Sequence, residues 1–146
     1  MKQSGFTLIE VLVALTISMA TLLATVTFGR QWWQQQQEDQ FFADFQRDWA
    51  HLRQMAITDG VTVEVKWDYD HQRFWFATLN RAGKTYLVRP KSLKTTLPNG
   101  DNQWTMTYAG GNFTTPQTLI FTRLSNQQQV IFTWQMGSGV LLRRNK

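Results

Sequence analysis

Gly5-Phe6-Thr7-Leu8-Ile9-Glu10, continued from Val11 to Phe28 without a further charge, is the stretch that decides the fold. As a helix rising ~1.5 Å per residue, Phe6 to Phe28 spans about 35 Å. A bilayer's hydrocarbon core is about 30 Å thick, so the run is long enough to cross it. A secretory signal peptide describes it less well. Such a peptide has a shorter apolar region leading to a small-residue cleavage site, whereas here Lys2 alone precedes a longer run. Lys2 and Arg30 flank the run on its two sides, so basic residues do not by themselves orient it.

Glu10 is the one charge inside this run. A carboxylate in an apolar helix costs several kcal/mol unless it is paired or close to the interface. Physical reasoning alone leaves two readings open: an acid with a partner in the membrane, or a hydrated acid near its surface.

The register of Gly5, Phe6 and Glu10 resembles the class III signal of type IV pilins and pseudopilins. In that signal a short basic leader ends in Gly, Phe follows, and Glu is the fifth mature residue. The resemblance implies that a membrane prepilin peptidase cuts after Gly5 and that the new N-terminus, Phe6, is N-methylated. It also implies that Glu10 pairs with the Phe6 amine of a neighbouring subunit. Such a pair neutralises two charges where either alone would be costly, and it fixes the axial register between subunits. The partners implied are the peptidase, other pseudopilins of one filament and, indirectly, an assembly ATPase and a membrane platform protein. The implied location is the cell membrane in a single pass, then a surface filament with the C-terminal domain outside. The chain departs from many pilins in having no proline between Phe6 and Asp59. Gly29, worth about 1 kcal/mol against Ala, is then the expected weak point of the helix.

Arg30 to Ile57 continues as helix. Phe41, Phe42, Phe45, Trp49, Leu52, Met55 and Ala56 recur at spacings of three and four and mark one apolar face. Trp32 and Trp33, just beyond the apolar run, suit the aromatic belt of a bilayer surface. The Gln31 and Gln34–Gln37 positions read as a solvated helix face, Gln being a good helix former. Asp59-Gly60 supplies the stop. The expected organisation is a leader over 1–5, a membrane and assembly helix over 6–28, its amphipathic half over 29–59, and a β-rich domain over 60–146.

After Gly60 the period changes to two. Val61, Val63, Val65 and Trp67 alternate with Thr62, Glu64 and Lys66. Further strands are expected at 73–79, 85–89, 103–108, 118–123, 130–136 and 140–143, separated by turn signals such as Pro98-Asn99-Gly100 and Gly137-Ser138-Gly139. One long helix followed by short antiparallel strands is an α+β layout, with the helix covering one face of a small antiparallel sheet. This layout agrees with the pilin fold that the N-terminus implies. The last stretch, Val130 through Val140, resembles the closing hairpin of minor pseudopilins, and among these a competence pseudopilin of the ComGD type in monoderm bacteria. That resemblance implies a filament needed for DNA binding and uptake.

Composition narrows the chemistry. There is no cysteine, which excludes disulfides, thiolate metal sites and cysteine nucleophiles. Ser125 and Ser138 lack a nucleophile-elbow context, and the glycine pairs lack the strand, helix and lysine of a phosphate cradle. Asp68, Asp70 and His71 match no standard calcium loop and read as a solvated turn. No catalytic residue, metal or cofactor is therefore expected. The net charge of +5 permits anionic partners without choosing among them. Lys84, Arg89, Lys91 and Lys94, read as lying in or beside one loop near Tyr86, are candidate DNA contacts; the alternative is an ordinary basic surface. Two other functions stay open. One is a pseudopilin of a type II secretion system or a minor type IV pilin. The other is a binding module on an uncleaved anchor.

Overall fold

The computed structural model describes residues 7–79, 84–98, 104–109, 112–113, 116–135 and 137–146, the backbone alone at 104–106 and 112–113. One helix, α1 (Leu8–Asp59), runs without interruption through Gly29. It ends where Gly60 takes a φ of 64°, a left-handed conformation that closes helices and disfavours any Cβ. The chain divides into two compact units, Met1–Gln36 and Gln37–Lys146.

In the first unit α1 is apolar and exposed. Leu8, Ile9, Val11, Leu12, Val13, Leu15, Ile17, Leu22, Leu23 and Phe28 all face outward. The stretch is long and apolar enough to cross a membrane. Its hydroxyls are consumed internally: Thr16 donates to the Val13 carbonyl, Ser18 to Ala14 and Thr25 to Thr21, each at 2.8 Å. A hydroxyl bonded back to its own helix needs no water and can face lipid.

In the second unit α1 buries Glu38, Phe41, Phe42, Phe45, Trp49, Leu52 and Ala56. All seven fall on one stripe at spacings of three and four, as a core-facing helix requires. The strands are β1 (Val63–Asp68), β2 (Arg73–Thr78), β3 (Lys84–Val88), β4 (Leu93–Thr96), β5 (Trp104–Ala109), β6 (Asn112–Phe113), β7 (Thr118–Arg123), β8 (Gln129–Trp134) and β9 (Leu141–Asn145). They form two antiparallel sheets, ordered β3-β2-β1-β5-β6 and β4-β7-β8-β9. Strands β1, β7 and β8 alternate buried and half-buried side chains strictly, so each turns one face to the core.

Aromatic side chains from both sheets meet the helix. Phe45 lies 5.2 Å and 5.3 Å from Phe74 and Phe76 of one sheet, and 5.3 Å from Phe132 of the other. Each such pair adds about 0.5–1.5 kcal/mol beyond the area it buries, so the stripe from Phe41 to Trp49 is the spine of this unit.

The α+β class with a long helix on antiparallel strands is as expected, with the strands split between two sheets. Four local expectations are corrected. Strand β4 falls where a loop was expected, because Leu93 is fully buried and anchors it to β7. The two-residue β6 was not foreseen. Val61 precedes β1 and only packs on the core's edge. Val140 belongs to the turn, and the last strand runs on to Asn145, pairing with Val130.

Candidate assembly and processing site

Leu8 to Phe28 cannot begin a helix without leaving the first amide groups unpaired. Thr7 and Glu10 solve this together. The Glu10 amide donates to Thr7 Oγ1 at 3.4 Å, and the Thr7 amide donates to Glu10 Oε2 at 3.4 Å. This is a capping box: the residue before the helix and the third residue within it satisfy one another. Both contacts are long for N–H···O bonds. The Glu10 carboxylate is exposed and has no cation within ion-pair distance among the described residues. Gly5 and Phe6, where cleavage and methylation are expected, lie outside the described residues. The capping box was readable as Thr7-x-x-Glu10 before an apolar run, a signal that the reading of Glu10 as an intermolecular partner passed over.

The four candidate DNA contacts do not share one loop. Lys84 opens β3, with its ammonium 4.8 Å from the ring centroid of Trp75. Arg89 is half-buried; its guanidinium donates to the Gln72 side-chain oxygen, lies 5.7 Å over Trp67, and is pushed below its ordinary pKa by burial. Lys91 is exposed in the turn that follows. Lys94 stands on β4, in the other sheet. The one-loop reading is thus corrected for Lys84, at the far end of β3, whereas Arg89 and Lys91 lie in the β3–β4 connection and Lys94 stands just beyond it, where burial of Leu93 commits the chain to a different sheet.

Asp68 is a hub of the β1–β2 turn. Its carboxylate accepts from Arg73 Nε at 3.0 Å and lies 2.9 Å from His71 Nδ1. Burial raises the Asp68 pKa, but the hydrogen bonds from Arg73 and His71 outweigh it and hold the carboxyl below its ordinary value.

A charged cluster that the sequence reading missed sits at the start of the second unit. Glu38 and Arg123 are both buried. Arg123 Nη2 donates to Asp39 at 2.6 Å, while its Nε approaches Glu38 Oε2 at 3.4 Å without hydrogen-bond geometry. Arg143 reaches Asp39 at 3.7 Å and lies 4.9 Å over the Phe42 ring. Both members of the buried pair were marked by periodicity: Glu38 stands three and four residues before Phe41 and Phe42, and Arg123 is in phase with Leu119 and Phe121.

Residues 1–26 match the family model of the prokaryotic N-terminal methylation motif. No curated protein and no solved structure matches the chain. The motif covers Gly5 and Phe6, the capping box and most of the apolar run, and it implies processing by a prepilin peptidase and assembly with other pilins. Together with the single exposed apolar stretch of α1 and the antiparallel strands that follow, it supports a type IV pilin-like protein anchored in the membrane by one helix.

Proposed function

We propose that the chain is a minor pseudopilin, a structural and not a catalytic subunit of a type IV pilus-like filament that serves DNA binding and uptake during competence. The peptidase cuts after Gly5, methylated Phe6 begins the mature chain, and Glu10 accepts the Phe6 amine of a neighbouring subunit as its counter-ion. In the assembled filament the C-terminal unit stands outside the cell.

One observation carries the assembly step. Glu10 stands at the head of an exposed apolar helix, and among the described residues its carboxylate is held only by the 3.4 Å contact from the Thr7 amide and compensated by no cation. A neutral hydrogen bond of that length does not offset a charge in lipid; an amine from a second copy does. The competence assignment is favoured over secretion by the small cysteine-free β unit and its closing hairpin through Gly137-Ser138-Gly139.

Mass spectrometry of the protein from its source cells tests the processing. A chain beginning at methylated Phe6 is expected; one beginning at Met1 overturns the filament reading in favour of an uncleaved anchor. Deleting the gene tests the system. Transformability is expected to fall. Loss of protein secretion or of surface pili with transformability intact assigns the subunit instead to a type II secretion apparatus or to a type IV pilus.

A further inference from the structure

The outer face of the sheet containing β1, β2 and β3 carries an aromatic and basic row. Strand register places Lys66, Trp75 and Tyr86 directly opposite one another across the three strands. Lys84 and Arg73 flank this row on the same face, being paired with Ala77 and Val88. The ammonium groups of Lys66 and Lys84 each lie 4.8 Å from the Trp75 ring centroid, and the Arg73 guanidinium lies 4.4 Å over Tyr86. The alternate residues Val65, Trp67, Phe74 and Phe76 are in the core, so this row is on the side of the sheet that the core does not use. Tyr86 is 49% exposed, on an edge strand.

From this arrangement we infer that the face is a binding surface for single-stranded nucleic acid. Three cations gathered round two ring faces meet the two needs of such a ligand: phosphate neutralisation and a platform on which bases stack. Two carboxylates at the margin fix the cations laterally: Glu64 holds Lys66 at 2.9 Å and Asp68 holds Arg73 at 3.0 Å. Lys84 has no carboxylate partner among the described residues, so the charge left over on the face is positive. A neutral glycan would use the rings but would have no use for the cations, and a phosphate polymer without bases would use the cations but not the rings. The ligand class deepens the proposed role in DNA uptake and rests on it; the surface itself rests on these contacts.

The test uses the full chain in detergent micelles and a fluorescent oligo(dT) of about 20 nucleotides. Salt-dependent binding is expected, weakened about tenfold by Tyr86→Ser and by Trp75→Thr. Lys84→Gln is expected to flatten the salt slope by about 0.7, while Lys94→Gln on the other sheet changes neither. Tyr86→Ser alters an exposed position, so it remains informative if Trp75→Thr disturbs folding. Binding indifferent to Tyr86, equal competition by base-free polyphosphate at equal charge, or preference for a neutral chitin oligosaccharide each overturns the inference. The two readings fail separately. If transformability survives deletion of the gene while Tyr86-dependent oligo(dT) binding persists, the uptake role is wrong and the surface stands. If deletion abolishes transformation but the Tyr86 variant binds and transforms like the wild type, the surface is wrong and the role stands.

Discussion

The indole N–H of Trp49 donates to the Gly139 carbonyl at 2.9 Å in the buried interior, tying the amphipathic part of α1 to the last turn of the chain. One helical turn further on, Arg53 Nε donates to the Ser138 carbonyl at 2.7 Å. Two donors at i and i+4 therefore hold consecutive carbonyls of the β8–β9 turn. That turn bends sharply enough to offer them because Gly137 and Gly139 take φ values of 78° and 63°.

Trp49→Phe keeps an aromatic ring near Tyr108 and Trp134, whose centroids lie 6.2 Å and 5.9 Å away, but removes the donor. The loss expected is about 1–2 kcal/mol, against about 3–5 kcal/mol for Trp49→Ala, which also opens a cavity. Urea unfolding of the full chain in micelles measures both. A Trp49→Phe variant as stable as the wild type would mean that the hydrogen bond to Gly139 contributes nothing.

The helix was legible because its signals are redundant: an apolar run of membrane length, then a stripe repeated from Phe41 to Ala56, then Gly60. Strands β1, β7 and β8 were legible because alternation marks a sheet with one face in the core. β4 was not, because a four-residue edge strand with one buried side chain, Leu93, has too few positions to show a period. The partition into two sheets depends on which strands pair, and long-range pairing leaves no local trace in a single sequence. The site divides in the same way. Glu10 was identified by its misfit in an apolar run, whereas the row of Lys66, Trp75 and Tyr86 comes together only through cross-strand register.

Arg123 is expected to be worth far more than a surface cation. Leaving Glu38 buried without its counter-charge is costly, so Arg123→Met should destabilise by about 3–5 kcal/mol. Adding Glu38→Leu should recover most of that loss, since a well-packed apolar pair can replace a buried ion pair at little cost. A double-mutant cycle by urea unfolding checks this. Additive losses would show that Glu38 and Arg123 do not interact across their 3.4 Å separation.

The Asp68 turn gives a pH signature. Its carboxyl is held below the ordinary value of 3.8, so its contribution to stability is present above that pH and is lost as pH falls through the lower folded-state value. Asp68→Asn should therefore melt below the wild type at neutral pH, and the gap should close in acid below about pH 4. Thermal melts across a pH series decide the matter; a gap that stays constant would trace the defect to packing and not to ionisation.

Glu10 has two separable duties, capping its own helix and holding charge for a neighbour, and substitutions can divide them. Glu10→Gln retains an oxygen able to accept from the Thr7 amide, so the capping box survives while the charge is lost. Thr7→Val does the reverse, removing the hydroxyl acceptor at a cost of about 1 kcal/mol while leaving the carboxylate in place. If the carboxylate serves a neighbouring amine, Glu10→Gln and Glu10→Val should be cleaved after Gly5 yet absent from sheared filaments, whereas Thr7→Val should assemble. If the cap is what matters, Thr7→Val should fail and Glu10→Gln should succeed. Immunoblots of sheared filament fractions, with N-terminal mass spectrometry of the cell-associated pool, read both steps. Assembly of Glu10→Gln at wild-type levels would show that no counter-ion is needed at this position.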